Sequence, residues 1–235
     1  MGNKEIIKEL VVNILVTLDY ELFFGTSGSL EKCIIEPTER LLSLANKHTF
    51  KCVFFIDAGY LVALKRSFTD YPELKKDYQL VSEQIRKLSS SGHQIQLHIH
   101  PHWEDSFYDG YTWKFNLSRF RMDAFSEDEI DVIFKTYKTE LETISGKTVF
   151  VYRAGGWCIQ PFDVFRKAFL KHGIKIDSTV FLNGKNSTPV QWFDFSNAPD
   201  KSSWRFGHDP CVEDTKGEFV EIPISSIRVP PFFYW

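Results

Sequence analysis

The chain has 235 residues, of which 43% are hydrophobic and 25% charged, with a formal net charge of −3 at pH 7. This composition is ordinary for a globular protein that buries a substantial core, and a single (β/α) barrel commonly has this length. Because acidic and basic residues are interspersed, no basic stripe is available to bind phosphates, which excludes nucleic acid as an expected partner. The four cysteines form no CxxC pair, so we expect neither a thiolate metal site nor a disulfide framework.

The N-terminal segment points to a protein without a leader. Residues 1–10 mix lysine and glutamate, and the apolar run that follows is too short to span a bilayer. We therefore expect no signal peptide, no membrane span and a cytoplasmic location. Residues 1–235 are expected to form one catalytic domain, and the apolar residues 230–235 would be costly to leave in water, which leaves open a further C-terminal segment.

The first half of the chain predicts a strand–helix–strand unit. Residues 11–18 are a β-branched and apolar run, the pattern of a strand buried on both faces of a parallel sheet. Pro37 stands where a first helical position is expected, and a second apolar run follows at 52–56. Residues 72–90 carry a helical stripe that ends at Gly92, and a third strand is predicted at 94–98.

The second half continues this alternation. Ser126 and Glu129 form a capping box at the start of a helix. Further strands are predicted at 149–152, 174–176 and 219–224, and a helix at 161–172. The repeated alternation predicts a parallel α/β fold, either a barrel or an open sheet.

Ionisable side chains follow the predicted strands where each one ends. In parallel α/β folds the carboxyl ends of the strands meet at one rim, so we expect these groups to converge there. They are Asp19, Glu21, Asp57, His98, His100, His102, Arg153 and Asp177.

Asp19 and Glu21 are two apart on an extended segment, so both carboxylates face the same side. Two acids held close together differ in pKa, and one can bind a metal while the other transfers a proton. The alternative is an exposed acidic strand end.

Residues 92–103 contain four of the seven histidines. Imidazole is the commonest protein ligand for zinc, and catalytic zinc keeps three protein ligands and one open position, a count that two histidines and one carboxylate satisfy. Pro101 disfavours helical geometry at His100, which predicts that His98 and His102 face each other across a turn. The alternative is a set of histidines without metal.

The segment Arg153-Ala-Gly-Gly-Trp157 closes the predicted fourth strand. An arginine there can orient a carboxylate through paired hydrogen bonds, and Gly155 allows close backbone approach. Trp103 and Trp157 could offer flat faces to sugar rings, although core packing explains either one equally well.

Taken in order, these motifs resemble those of the polysaccharide deacetylase family, the NodB-homology group of carbohydrate esterases. The resemblance rests on Thr17-Leu-Asp-Tyr-Glu21, His98-x-x-x-His102, Arg153-Ala-Gly-Gly, Asp177-Ser and Glu221-Ile-Pro-Ile, and it covers roughly residues 11–225. It implies a distorted (β/α)7 barrel that removes acetyl groups from N-acetylated sugars with the help of a divalent metal, most often zinc. By the same resemblance Asp19 is the base, Glu21, His98 and His102 are the metal ligands, and Arg153 and Asp177 steady the base. Trp103, Gly155 and Trp157 are the expected substrate contacts.

Two departures from the family pattern leave alternatives open. The family's first motif has adjacent aspartates where this chain has Tyr20 after Asp19, so the roles of Asp19 and Glu21 could be exchanged. The family's last motif contains a histidine that protonates the leaving amine, and no histidine follows His208 here. Either His208 or His100 serves instead, or a further segment supplies it, or the amide activity is lost. The rival hypotheses are a metallohydrolase that uses His98 and His100 on a non-sugar or cyclic amide, and a catalytically impaired glycan-binding relative.

Overall fold

The computed structural model describes residues 13–23 and 29–227. The first two residues of the predicted first strand, 11 and 12, and the apolar segment 230–235 lie outside these ranges. The strands are Val16–Tyr20 (β1), Cys52–Asp57 (β2), Gln94–Ile99 (β3), Phe107–Tyr108 (β4), Trp113–Lys114 (β5), Val151–Ala154 (β6), Ile176–Asp177 (β7), Lys185–Ser187 (β8), Trp192–Asp194 (β9), Trp204–Phe206 (β10) and Phe219–Glu221 (β11). The α-helices are Glu36–Lys47 (α1), Ala58–Arg66 (α2), Leu74–Ser90 (α3), Glu127–Ser145 (α4) and Asp163–His172 (α5).

The structure is a mixed α/β fold around a mostly parallel sheet, which confirms the predicted class. Seven strands form the central sheet in the order β1-β2-β3-β6-β7-β11-β10. All neighbouring pairs in it are parallel except β10 with β11, which are antiparallel. Two small hairpins, β4–β5 and β8–β9, lie outside this sheet.

The central sheet curls strongly. Strands β1 and β6 are separated by β2 and β3, so in a flat sheet they would lie roughly 14 Å apart. Yet Arg153 on β6 donates a hydrogen bond of 2.8 Å to Asp19 on β1. The concave side also encloses a cavity of about 790 Å³ whose lining includes Thr17, Phe55, Arg153, Ser178 and Ile222. The curvature therefore brings the ends of distant strands to one rim.

Helices and aromatic side chains cover the other side of the sheet. Helix α4 begins at the predicted capping box, in which the Ser126 side chain accepts from the Glu129 backbone and the Glu129 side chain accepts from the Ser126 backbone. Large, fully buried rings fill this side of the core, and burying each one contributes roughly 1.5–3 kcal/mol. They include Phe134, Tyr152, Phe162, Phe165, Phe169, Phe206 and Phe219.

Helix α2 was not predicted, and its residues explain why. Six of its nine residues are buried, among them Ala58, Leu61 and Leu64, so its sequence shows little polar–apolar periodicity. In residues 13–23 and 29–227, no helix is both long and apolar enough to cross a bilayer.

Candidate metal centre

Three side chains from the ends of β1 and β3, which are separated by β2, converge at the carboxyl end of the sheet. Glu21 follows β1, His98 lies in β3 and His100 comes directly after β3. One ligand atom from each lies within 4.8 Å of the other two. The Glu21 Oε2 atom is 3.2 Å from His98 Nε2 and 2.6 Å from His100 Nε2. Two imidazoles and one carboxylate are the donor set of a catalytic zinc centre.

The hydrogen bond on the far side of His98 fixes which nitrogen faces the centre. His98 Nδ1 lies 2.9 Å from the Arg153 carbonyl oxygen, which accepts hydrogen bonds only, so Nδ1 carries the proton. A backbone carbonyl on the outer nitrogen is the usual way to orient a metal-binding histidine. The Nε2 atom of a neutral His98 then turns its lone pair toward the Glu21 carboxylate, and this contact is favourable only with a cation or a proton between them.

The electrostatics of the metal-free group agree with this need for positive charge. Burial disfavours the imidazolium, but its hydrogen bond to Glu21 and the charges of Asp19, Glu21 and Asp57 raise the pKa of His98 to about 9. Burial acts to raise the pKa of Glu21, and the two histidines outweigh it and lower that pKa far below its ordinary value. The residues therefore fit a divalent cation, which would take the place of the proton.

His102 lies beside this group in a different environment. Its side chain is 1% exposed, its ring centroid is 5.3 Å from that of His100, and its ring stacks on Phe120. Burial, reinforced by His100, lowers the pKa of His102 to about 3, which keeps the ring neutral. In the described part of the chain, the three side chains whose ligand atoms lie within 4.8 Å of one another are Glu21, His98 and His100, and His102 is not among them. The structure thus brings His98 together with His100, and a metal ligand at His102 stays a prediction.

Gly155 allows the end of β6 to pack directly on His100. A Cβ atom at this position would lie 2.5 Å from the Ile99 carbonyl oxygen and 2.6 Å from His100 Nδ1, closer than real Cβ atoms approach. The close approach expected for this glycine is therefore made to the histidine ring.

Arg153 holds Asp19 at the edge of the centre. Its Nη1 donates to Asp19 Oδ1 at 2.8 Å, its Nη2 to Thr17 Oγ1 at 3.0 Å, and its Nε to the Ser178 carbonyl at 2.7 Å. The guanidinium also lies 4.0 Å from the centroid of the Phe55 ring. The Arg153 side chain is 5% exposed, whereas that of Asp19 is 33% exposed. Asp19 is thus oriented by a buried cation and remains accessible from the rim.

Asp177 lies on the opposite face of the sheet from Arg153. It is the register partner of Tyr152 on β6 and of Glu221 on β11, and neighbours in register share a face. Its oxygens accept hydrogen bonds from the backbone and side chain of Thr179. Asp177 therefore acts on Arg153 through charge, and its support of the base stays a prediction. Ser178, the next residue, contacts Arg153 directly, through its carbonyl and its Oγ at 3.1 Å from Arg153 Nη2.

The two tryptophans expected at the substrate differ in exposure. Trp103 is 1% exposed, and its Nε1 donates to Asp57 Oδ2 at 2.5 Å. Its rings pack among Tyr60, Trp113 and Phe115, so Trp103 is a core residue with no face open to a sugar. Trp157 is 39% exposed and has a φ of +57°. Two residues beyond Gly155, it is the more exposed of these two tryptophans, and a substrate contact there stays a prediction.

The fold and the site together define a mixed α/β protein with a candidate two-histidine, one-carboxylate metal centre beside an arginine-bound aspartate. No family model and no curated protein matches the chain. Among solved structures it is similar to a Mycobacterium smegmatis protein assigned as a polysaccharide deacetylase, with 19% identity, a TM-score of 0.45, and coverage of 84% of this chain and 51% of that one.

It is also similar to a family 4 carbohydrate esterase from Streptomyces lividans in complex with acetate, with 16% identity, a TM-score of 0.41, and coverage of 72% and 62%. A CE4 family pseudoenzyme from Bacillus anthracis gives 12% identity, a TM-score of 0.42, and coverage of 69% and 41%. The chain therefore spans between 41% and 62% of the length of these three proteins.

Proposed function

We propose that the protein is a metal-dependent hydrolase that removes acetyl groups from N-acetylated sugars of a polysaccharide or of its precursor. The observation that carries this proposal is the approach of Glu21, His98 and His100 to within 4.8 Å of one another, at the rim where Arg153 orients Asp19. A buried pair of neutral imidazoles facing one carboxylate is costly unless a cation or a proton lies between them. Zinc is the expected cation because it prefers this donor set.

Each residue at the rim has one task in this proposal. A bound divalent cation would lower the pKa of a water molecule and polarise the acetyl carbonyl. Asp19 accepts the proton of the attacking water, since it is reachable from the rim, and passes this proton to the nitrogen of the leaving amine as the C–N bond breaks. Arg153 keeps the Asp19 carboxylate oriented through its hydrogen bond. Trp157 offers its exposed face to a sugar ring.

Acetate release tests the proposed reaction. Purified protein supplied with Zn²⁺ should release acetate from N-acetylated oligosaccharides, and Asp19→Asn should abolish this release. The same variant should still bind Zn²⁺, measured by calorimetry, because the three candidate ligands Glu21, His98 and His100 are unchanged. Unchanged acetate release by Asp19→Asn would remove the base from the proposal.

A matched pair of variants tests the ligand set. His100→Ala should abolish Zn²⁺ binding and His102→Ala should retain it, because only His100 of the two lies within 4.8 Å of Glu21 and His98 in the described ranges. The opposite result would establish the family-like pair of His98 and His102.

The pairing of His98 with His100 also favours a second candidate, a metallohydrolase acting on a non-sugar or cyclic amide. Both candidates need the same cation, so metal binding does not separate them. A panel that compares N-acetylated sugars with cyclic amides, each assayed with the Zn²⁺-loaded protein, separates them by turnover.

A further inference from the structure

Asp57 is a buried carboxylate in the same row of side chains as the candidate metal centre. It ends β2 and is the register partner of His98 on β3, which in turn is the partner of Arg153 on β6. Register partners in a parallel sheet point to the same face, so Asp57 lies on the concave side with His98. Electrostatic interactions couple it to His98, His100 and Glu21.

The two carboxylate oxygens of Asp57 have different surroundings. Oδ2 accepts the hydrogen bond from Trp103 Nε1 at 2.5 Å. Oδ1 is buried and has no hydrogen-bond partner among residues 13–23 and 29–227. The residue as a whole is 3% exposed, so bulk solvent hardly reaches it. A buried carboxylate oxygen without a donor is destabilising, which calls for a positive charge nearby.

In the metal-free group the histidines are the groups whose charge attracts the Asp57 carboxylate, and a divalent cation bound to neutral histidines would replace that charge. The guanidinium of Arg153 is bound to Asp19, and the carboxylate of Glu21 repels Asp57. Two neutral imidazoles and Glu21 carry one negative charge together, so a divalent cation among them leaves one positive charge uncompensated. Asp57 would make the assembly neutral.

We propose that Asp57 is the charge-compensating carboxylate of the cation site, held in place by Trp103 and acting from outside the inner ligand set. The proposal rests on the metal-dependent function proposed above. Asp57 is placed outside the inner set because a catalytic centre keeps three protein ligands and an open position, which a fourth protein ligand would fill. It is therefore a positioning residue and not a catalytic one.

Calorimetric titration of the full chain with Zn²⁺ alone tests this role. Asp57→Asn keeps the shape of the side chain and removes its charge, and it should weaken Zn²⁺ affinity roughly 10- to 100-fold, the usual effect of losing an outer-shell partner. Glu221→Gln is the matched control. It neutralises another fully buried carboxyl, on the opposite face of the sheet, and should bind Zn²⁺ as the wild type does.

A second variant separates positioning from simple destabilisation. Trp103→Phe removes the donor to Oδ2 and should also weaken Zn²⁺ binding, and the double variant with Asp57→Asn should bind no more weakly than Asp57→Asn alone. If circular dichroism shows that Asp57→Asn does not fold, Trp103→Phe decides the question in the same way.

Equal Zn²⁺ affinity of the wild type and the folded variant would overturn this inference and leave the proposed function standing. A wild-type protein that binds no divalent cation would instead overturn the proposed function, and the inference with it.

Discussion

Replacing Arg153 with methionine should remove the clamp that orients Asp19. Methionine has a similar length but no charge and no donors, so Asp19, Thr17 and Ser178 lose their bonds to the guanidinium. Breaking a buried ion pair by removing one partner costs about 3–5 kcal/mol. Because the Asp19 side chain is 33% exposed, water can solvate its carboxylate, so we expect a loss near 3 kcal/mol.

Urea denaturation at neutral pH measures this loss, and Arg119→Met is a matched control. Arg119 is also paired with carboxylates, in its case Asp105 and Glu129, and also lies 4.0 Å from a phenylalanine centroid, but its side chain is 33% exposed. We expect its replacement to cost about 1 kcal/mol, as for exposed ion pairs. Equal losses for the two variants would refute the argument that burial of Arg153 sets the magnitude.

A double-mutant cycle isolates the Arg153–Asp19 pair. Asp19→Asn alone removes the charge opposite Arg153, and in the Arg153→Met background it should cost less because no cation remains. A coupling energy of about 1 kcal/mol or more is expected for groups in direct contact, and additivity to within about 0.5 kcal/mol would show that the pair is not coupled.

Three further changes test other parts of the structure. Gly155→Ala should weaken Zn²⁺ binding in calorimetry because the added Cβ displaces His100, whereas Gly207→Ala, whose nearest neighbour is the Asp214 carboxylate at 3.2 Å, should not. Burial raises the pKa of Glu221 and that of Asp177, the latter to about 6, so the folded pair keeps a proton that the unfolded chain releases as pH rises. Urea denaturation should therefore show stability falling as pH rises from about pH 5 to the folded pKa of the pair, by at most roughly 1.4 kcal/mol per pH unit in the wild type and more slowly in Glu221→Gln; equal slopes would contradict this. Ser126→Ala removes a helix cap and should cost about 1 kcal/mol in the same assay, and an unchanged midpoint would contradict the cap's contribution.

Local sequence signals predicted the elements whose pattern is set locally. The capping box of α4 depends on two residues three apart, and the third strand depends on one apolar run, so both are readable without tertiary information. Helix α2 is surrounded by other elements and buried on most sides, which erases the periodicity on which prediction relies. Because it is buried on most sides, the helix that directly follows Asp57 could not be predicted from sequence periodicity.

The sequence predicted which residues lie at the strand ends around the candidate site, but not which face of the sheet each side chain is on. Asp177 and Ser178 both lie at the end of β7, and only the register of β7 against β6 decides which of them meets Arg153. Shifting that register by one residue would exchange their faces. Trp103 is a similar case, because no local pattern distinguishes an aromatic ring packed on α2 from one open to a substrate.

The backbone constraint that Pro101 places on His100 explains why His100, and not His102, faces Glu21 together with His98. Proline disfavours helical geometry in the residue before it, and His100 indeed has φ −102° and ψ 102°. An extended His100 continues the two-residue alternation of β3, so its ring falls on the same face as that of His98 and meets the same Glu21 oxygen. Pro101 then starts a tight turn that carries His102 to the side of His100. The same constraint that suggested a His98–His102 pair across a turn therefore favours His98 and His100 as the pair that faces the carboxylate.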